Sequence, residues 1–371
     1  MSKKFTIILF VSVCMMFLIV GTKFVREVGI LHKYPKPEYF SAEEEQCRPA
    51  YSQLNDKEKA VYHALWAGIR NREDKIQLPY EIDGETYTKL YCLVEKQEGD
   101  FFYIDSTYYT ARKLREARIA YREDKSVYDE KIRSFNSVKS AVISRASGAN
   151  DDYNKAMRIH DSIVNRCKYV TGEDELYTST AYGCLVEGEA NCEGYAKAFN
   201  LIATECGLRC VLVTGTTDTG ENHAWNQVMI GDEWYNMDVT WDDSDIAGDT
   251  RREYFLCNDE SFGATHTADD SYFKSFECKG ASNAYYKRND ILADTVEKAE
   301  EIVRRAAAQK APEIEIKFAN IKVYRDFKRD YIDNSYIFEV LIDAADDGDG
   351  PMSMQVRDNE KELCITLLLY K

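Results

Sequence analysis

The spacing of apolar residues predicts helices separated by short strands. Apolar positions recur every three or four residues in several stretches, which is the period of a helix with one buried face. These stretches are 55–70, 85–95, 132–142, 151–167, 192–206 and 294–310. Asparagine or aspartate stands at the start of the first, fourth and fifth stretches, where its side chain can cap the helix.

Other runs, with alternating or continuous apolar residues, predict strands. They cover 116–121, 223–230, 234–241, 313–318, 336–342, 352–357 and 362–370. Gly231-Asp232 lies between the second and third runs and favours a two-residue turn, so these two strands are expected to form an antiparallel hairpin. Helices combined with antiparallel strands predict an α+β fold.

Composition divides the chain of 371 residues into four predicted parts. Three of the six prolines and an acidic run lie in 33–50, which is typical of a stalk. The predicted parts are an N-terminal anchor with the start of the stalk (1–36), a mostly helical region (37–150), a central domain (151–278) and a small α+β C-terminal domain (279–371).

The first part differs most from the rest of the chain. Residues 5–22 carry no charge and are flanked by Lys3-Lys4 and Lys23. About 17–25 such residues are needed to cross a bilayer, and a clear small-residue cleavage site is missing. We therefore expect an uncleaved signal anchor with the body outside the cytoplasm. Secretion after signal cleavage is the alternative.

Charge and cysteine spacing exclude several classes of function. The net charge is −16 and the basic residues are dispersed, whereas a nucleic-acid-binding surface needs clustered lysine and arginine. The 11 cysteines include no CxxC pair, and the acidic loop at 343–349 lacks the spacing of a calcium loop. We expect no nucleic-acid partner, no metal and no cofactor. A free Cys192 would leave an odd number of cysteines in the body, so that they could not all be paired in disulfides.

Cys192 is the candidate nucleophile. It falls in the first turn of the helix predicted at 192–206, with Asn191 as a candidate cap. A thiol at that position faces the positive end of the helix, which favours the thiolate, and the free N–H groups there can stabilise an oxyanion. The competing interpretation is a small buried side chain, as for Cys206 and Cys210.

The predicted hairpin supplies two further candidate groups. With Gly231-Asp232 as the turn, Trp225 lies opposite Asp238, which makes His223 and Asp238 diagonal neighbours on one face of the sheet. A carboxylate in that place can hold the imidazole tautomer and orient the ring. A shift of the register by one residue would put the two side chains on opposite faces. Cys192, His223 and Asp238 are therefore predicted to form a catalytic triad.

Three segments of the central domain resemble the transglutaminase-like domains of many bacterial surface and secreted proteins, which are related in fold to papain-type cysteine peptidases. The segments read YGCLVEGEANCEGYAKAF, TGENHAWNQVMIGDEWYNMDVTWDD and REYFLCNDESFGATHT. The resemblance covers about residues 151–270. It implies a core in which a helix bearing the cysteine packs on an antiparallel sheet bearing the histidine and the aspartate.

The resemblance implies a thiol enzyme that acts on amide carbonyls of proteins or peptides, for example cell-envelope peptides, through a thioester. Together with the anchor expected from residues 5–22, this predicts a membrane-anchored enzyme with its body outside the cytoplasm. Hydrolysis and acyl transfer both remain open. The alternative is a catalytically inactive surface module that keeps the fold for binding.

Three other residues receive weaker interpretations. Tyr182 is a candidate donor to the oxyanion, and a tyrosine of the core is the competing interpretation. His160 lies on the apolar face of its helix and is expected to be a core histidine. His266 falls in the last of the resembling segments without an assigned role.

Overall fold

The structure, a computed structural model, describes residues 34–171, 176–243, 251–345, 351, 353–360 and 363–370. Each of the six predicted helices is present, with ends that differ by a few residues. In the described residues the α-helices are α1 (Ala42–Gln46), α2 (Pro49–Ser52), α3 (Asp56–Arg70), α4 (Gly84–Gln97), α5 (Tyr128–Ser147), α6 (Asp152–Val164), α7 (Cys192–Glu205), α8 (Asp259–Phe262), α9 (Tyr285–Arg288), α10 (Val296–Ala308), α11 (Ile321–Phe327) and α12 (Ile337–Ala344).

The strands are more numerous than the apolar pattern predicts. They are β1 (Lys75–Asp83), β2 (Ile104–Tyr108), β3 (Lys113–Tyr121), β4 (Lys168–Tyr169), β5 (Glu189–Ala190), β6 (Cys210–Thr217), β7 (Asn222–Ile230), β8 (Glu233–Met237), β9 (His266–Ala268), β10 (Leu292–Ala293), β11 (Glu313–Phe318), β12 (Ser353–Asn359) and β13 (Cys364–Tyr370). Single π-helical turns lie at Gly183–Glu187 and Lys328–Asp333, and short 3₁₀ turns at Gly99–Phe101 and Lys125–Val127. The predicted α+β class is confirmed.

The chain forms two compact units. The described residues of the first are 34–41, 54–94 and 104–121. Its three-stranded antiparallel sheet has the order β1-β3-β2. Helix α3 packs on β1 and begins with a capping box between Asn55 and Glu58. The region expected to be mostly helical therefore also contains a sheet, of which the pattern predicts only the central strand.

The second unit comprises the described residues of 42–53, 95–103 and 122–371, and it contains the sheet that carries the candidate chemistry. Its antiparallel order is β8-β7-β6-β9. Helix α7 packs on β6 and β7 and buries Tyr195, Phe199 and Ile202 completely. Burial of each such side chain stabilises the fold by about 1.5–3 kcal/mol, so the helix is firmly fixed to the sheet.

The hairpin register predicted from Gly231-Asp232 is confirmed. Ile230 pairs with Glu233 and Asn226 pairs with Met237. The second strand ends at Met237 rather than at residue 241, because the side chain of Asp238 accepts the N–H groups of Thr240 and Trp241. An aspartate that captures the following backbone amides turns the chain out of the strand.

A second sheet follows, with the order β10-β11-β13-β12. It packs against α10, α11 and α12 around a core that includes Ile302, Phe318 and Leu367. The prediction of a strand at 336–342 is wrong, since these residues belong mainly to α12. The buried residues are spaced as on one face of a helix: Ile337, Val340 and Leu341 are buried, and Phe338 and Ile342 are exposed. The β-branched isoleucines and valine of this segment favour the prediction of a strand.

Within the ranges that the structure covers, no helix is long and apolar enough to cross a bilayer. The predicted anchor, residues 5–22, lies outside the described residues. Among the described residues, Cys192 is a free thiol that belongs to no disulfide.

Candidate active site

Cys192 is the first residue of α7, as the sequence predicts. The side chain of Asn191 caps the helix by accepting the N–H groups of Glu193 and Gly194, at 3.1 and 3.2 Å. A Cβ atom at position 194 would lie 2.4 Å from the carbonyl oxygen of Thr178. Only glycine therefore allows this close approach, which sets the position of the helix start and of the half-buried Cys192 thiol.

Asn226 fixes α7 to the sheet. Its side-chain amide donates to the carbonyl oxygen of Ala196 at 3.0 Å and to that of Val211 at 3.4 Å. These bonds join the first turns of α7 to β6 and β7. Cys192 packs beside the cluster of Ala196, Leu212 and Ala224, so the thiol lies above the part of the sheet that carries His223.

His223 and Asp238 meet in the interior. Nε2 of His223 lies 2.6 Å from Oδ2 of Asp238, and the two side chains are 6% and 0% exposed. The bond occupies Nε2 and leaves Nδ1 as the ring nitrogen that can face a thiol. Cys192 raises the pKa of His223 by hydrogen bonding and by charge, so the thiol and the imidazole are neighbours. The structure thus bonds two of the three predicted triad residues, His223 and Asp238, directly to each other.

Asp238 has four hydrogen-bond partners. Oδ1 accepts from the N–H groups of Thr240 and Trp241, at 2.9 and 3.2 Å. Oδ2 meets Nε2 of His223 and also, at 3.2 Å, Nε2 of His266. A carboxylate has about four lone-pair sites, so this one is fully satisfied although it is buried.

The pKa values of His223 and Asp238 move apart. Burial lowers the pKa of His223, but the charge and hydrogen bond of Asp238, aided by Cys192, outweigh burial and raise it to about 10. Burial raises the pKa of Asp238, but His223 and His266 outweigh burial and lower it to about 2. At neutral pH the pair is therefore an imidazolium and a carboxylate.

A second buried imidazole supports the turn after β8. His160 is completely buried on α6, as expected of a core histidine. Its Nε2 lies 3.2 Å from Oδ2 of Asp242, and Oδ1 of Asp242 accepts the N–H of Tyr254 at 2.9 Å. The N–H of Asp242 in turn donates to the carbonyl oxygen of Asp238 at 3.2 Å. This network holds the backbone from which the Asp238 side chain projects.

Tyr182 lies in an aromatic cluster. Its ring stacks on Phe102 with centroids 4.7 Å apart and also contacts Tyr177 and Phe135. These contacts agree with the interpretation of Tyr182 as a core residue.

Tyr169 on β4 lies beside the candidate site and lines the same cleft as His223. Burial raises the pKa of its hydroxyl, and the charges of Cys192, Glu221 and Asp238 raise it further. No pattern in the sequence marks Tyr169, since it reaches the site only through the pairing of β4 with β5.

A cleft of about 970 Å³ opens beside His223. Its walls come both from the sheet that bears His223 and from the C-terminal sheet. Among the lining residues are Tyr169, His223, Trp241, Tyr254, Tyr286 and Ala319. The cleft therefore offers an aromatic surface that leads up to the imidazole, and its volume lies in the range of ligand-binding sites.

Three buried groups also have the spacing of a metal site. The ligand atoms of His223, Asp238 and His266 lie within 4.8 Å of one another. The contacts of Asp238 with both imidazoles are hydrogen bonds of 2.6 and 3.2 Å. Since the carboxylate is already satisfied in this way, we assign no metal to the cluster.

A helix that begins with a cysteine and packs on an antiparallel sheet with a histidine–aspartate pair is the arrangement expected of a transglutaminase-like domain. Residues 140–239 match the family model of the transglutaminase-like superfamily. The chain carries a transglutaminase-like domain over those residues, which include Cys192, His223 and Asp238.

Similar proteins include the kyphoscoliosis peptidases of Mus musculus and Homo sapiens. They are 34% and 33% identical to this chain over 91 residues, which cover 22% of this chain and 14% of each relative. The match thus spans about a seventh of the length of these relatives.

Two solved structures are among those that this chain matches at low identity. One is a TGase (15% identical, TM-score 0.28, covering 33% of this chain and 35% of that chain). The other is a protein from Cytophaga hutchinsonii with a provisional assignment as a cysteine protease (17% identical, TM-score 0.28, covering 40% and 50%).

Proposed function

We propose that this protein is a thiol enzyme of the transglutaminase-like type that acts on amide carbonyls of proteins or peptides. The observation that carries the proposal is the buried bond between His223 and Asp238 beside Cys192. A free cysteine at a capped helix start, next to an imidazolium held by a carboxylate, has the surroundings of a nucleophilic thiolate.

The first half of the reaction forms a thioester. The thiolate of Cys192 attacks the carbonyl carbon, the S–C bond forms and the C=O electron pair moves to the oxygen. Asn191 takes the amides of Glu193 and Gly194, so we assign the backbone N–H of Cys192 to the oxyanion. When the intermediate collapses, the C–N bond breaks and the imidazolium of His223 gives its proton to the departing amine.

The second half releases the acyl group. Neutral His223 accepts a proton from water or from an amine as that nucleophile attacks the thioester. The C–S bond breaks and Cys192 leaves as the thiolate. Asp238 keeps Nε2 of His223 occupied throughout, so that Nδ1 exchanges the protons. Water gives hydrolysis and an amine gives acyl transfer.

The cleft supports a peptide or protein substrate. Its aromatic walls run beside His223 over a volume of about 970 Å³, which suits a chain segment better than a single small amide. We propose cell-envelope peptides as the substrate class. We also propose that residues 5–22 anchor the protein in the membrane with its body outside, which protease treatment of intact cells would test.

Trapping of the acyl-enzyme tests the enzymatic proposal. The full chain is incubated with casein, with and without a fluorescent primary amine, quenched in acid and digested for peptide mass analysis. We expect an acyl adduct on Cys192 in the wild type, none in Cys192→Ser and a much smaller amount in His223→Ala. Without an adduct in any substrate mixture, and with Cys192 no more reactive than other thiols, the domain would instead be the inactive binding module.

A further inference from the structure

His266 is a second imidazole on the candidate triad aspartate. Its Nε2 lies 3.2 Å from Oδ2 of Asp238, the same oxygen that Nε2 of His223 approaches to 2.6 Å. The side chains of His266 and Asp238 are both 0% exposed. An ionised carboxylate only accepts hydrogen bonds, so Nε2 of His266 carries a hydrogen and donates it to Asp238.

The other nitrogen of His266 is also engaged. Nδ1 lies 2.8 Å from Oγ1 of Thr265, whereas the alternative acceptor for that hydroxyl, the carbonyl oxygen of Phe262, is 3.3 Å away. The shorter contact favours donation from the hydroxyl to Nδ1. The hydrogen on Nε2 of His266 is then directed at Asp238.

Aromatic rings hold His266 in this orientation. Phe262 stacks on it with centroids 3.8 Å apart at 21°, and Trp241 and Trp225 lie at 4.5 and 5.2 Å. The backbone is fixed as well, because His266 pairs with Thr217 across β9 and β6. A ring enclosed in this way cannot swing away from the carboxylate without opening the core.

We propose that His266 is a positioning residue that holds Oδ2 of Asp238 in the place from which it orients His223. The two backbone amides on Oδ1 fix one oxygen of the carboxylate. Without His266, the other oxygen would be held by His223 alone, the group that it is meant to orient. The inference rests on the proposed function, in which His223 shuttles the proton.

Three substitutions separate donation by His266 from packing. His266→Phe keeps an aromatic ring and removes the donor. His266→Gln keeps an N–H donor near the place of Nε2 and removes the ring. His266→Met has neither, so glutamine and methionine form a matched pair of similar length that differs in the donor.

The readouts are the imidazole N–H resonance of His223 in ¹⁵N-histidine-labelled protein, assigned by its loss in His223→Gln, and the rate of Cys192 alkylation by iodoacetamide. We expect His266→Met to shift or broaden the resonance and to slow alkylation on the order of tenfold, the factor for one lost hydrogen bond to a charged group. His266→Phe should behave like methionine, and His266→Gln should restore both signals towards the wild type.

Equal behaviour of the glutamine and methionine variants would overturn the proposal, because His266 would then act through packing alone. Unchanged signals in His266→Phe would overturn it as well. The resonance does not depend on turnover. A Cys192 that is unreactive in the wild type, together with a resonance that glutamine restores and methionine does not, would reject the proposed function and leave the role of His266 standing.

Discussion

The carboxylate of Asp238 both orients His223 and belongs to a buried hydrogen-bond network that stabilises the fold. From the hairpin register alone, Asp238→Asn is expected to abolish orientation of His223 and to change stability little, on condition that the carboxylate belongs to no structural network. The structure does not meet that condition, because Asp238 is fully buried and has four hydrogen-bond partners. The substitution should therefore affect both the chemistry and the fold.

We expect Asp238→Asn to lower the free energy of unfolding by about 1–3 kcal/mol, since an amide cannot accept from all four donors. In the folded fraction, acyl-enzyme formation should fall by orders of magnitude, as when a triad aspartate loses its charge (about 10⁴). Met237→Asn is the matched control, because Met237 is equally buried and adjacent. It should destabilise the protein while its folded fraction keeps the activity. Full activity in Asp238→Asn would show that the carboxylate does not orient His223.

The ion pair of His223 and Asp238 predicts a pH window for stability. The pKa of His223 rises from 6.5 to about 10 on folding, so its contribution is complete below pH 6.5 and is lost as the pH rises towards 10. The pKa of Asp238 falls from 3.8 to about 2, so its contribution is complete above pH 3.8 and is lost as the pH falls towards 2.

Urea unfolding of the wild type and of His223→Gln across pH 4–10 checks this expectation. The difference in the free energy of unfolding should be largest between about pH 4 and 6.5 and should shrink above that range. A difference that grows from pH 6.5 to 10 would contradict a charged His223.

Among the elements, α7 depends on a buried charge cluster. Lys197 is 3% exposed, and its Nζ bonds to Glu95 and lies 2.8 Å from Glu193. Burial raises the pKa of Glu193, but Lys197 and Lys96 outweigh burial and lower it to about 2. The cluster lies at the helix start that carries Cys192, so it contributes to the placement of the thiol.

Removal of this lysine should be costly. Lys197→Met leaves two carboxylates without their main partner, and loss of one member of a buried pair costs about 3–5 kcal/mol. Lys279→Met, which breaks the exposed pair with Glu277, should leave the unfolding midpoint in urea unchanged. Equal midpoints for the two variants would show that the buried cluster does not stabilise the second unit.

The elements also show what the sequence can predict. The hairpin register follows from the two-residue turn at Gly231-Asp232, and the helix start at Cys192 follows from the capping residue Asn191. The contact of His223 with Asp238 could therefore be predicted. The strand expected at 336–342 is wrong because β-branched residues mask helical spacing. His266 has no predictable role, because its contact with Asp238 arises from the pairing of β9 with β6, which no local pattern encodes.

On the scale of the whole second unit, the C-terminal sheet is part of the candidate site. Ala319, directly after β11, lines the cleft that reaches His223. This contribution could not be read from the sequence, in which the segment lies far from Cys192, His223 and Asp238. The C-terminal part is therefore expected to influence which substrates enter.

Ala319→Trp tests this wall of the cleft. The indole should fill space that a protein substrate needs and lower acyl-enzyme formation from casein severalfold or more, while the small reagent iodoacetamide still reaches Cys192 at the wild-type rate. Ala308→Trp, an exposed position of α10 outside the cleft, should change neither rate. Casein turnover that survives in Ala319→Trp would place the substrate elsewhere.

The central claim is that His223 and the helix start activate Cys192, and α7 contains its own reference thiol. Cys206 stands at the opposite end of the same helix and is also half-buried, and burial raises its pKa. The most direct measurement is the ratio of the iodoacetamide alkylation rates of Cys192 and Cys206, followed by peptide mass in the wild type and in His223→Ala. We predict a ratio well above one near neutral pH that falls strongly in His223→Ala. Equal alkylation rates of the two thiols in the wild type, or a ratio that His223→Ala leaves unchanged, would contradict the activation of Cys192 by His223.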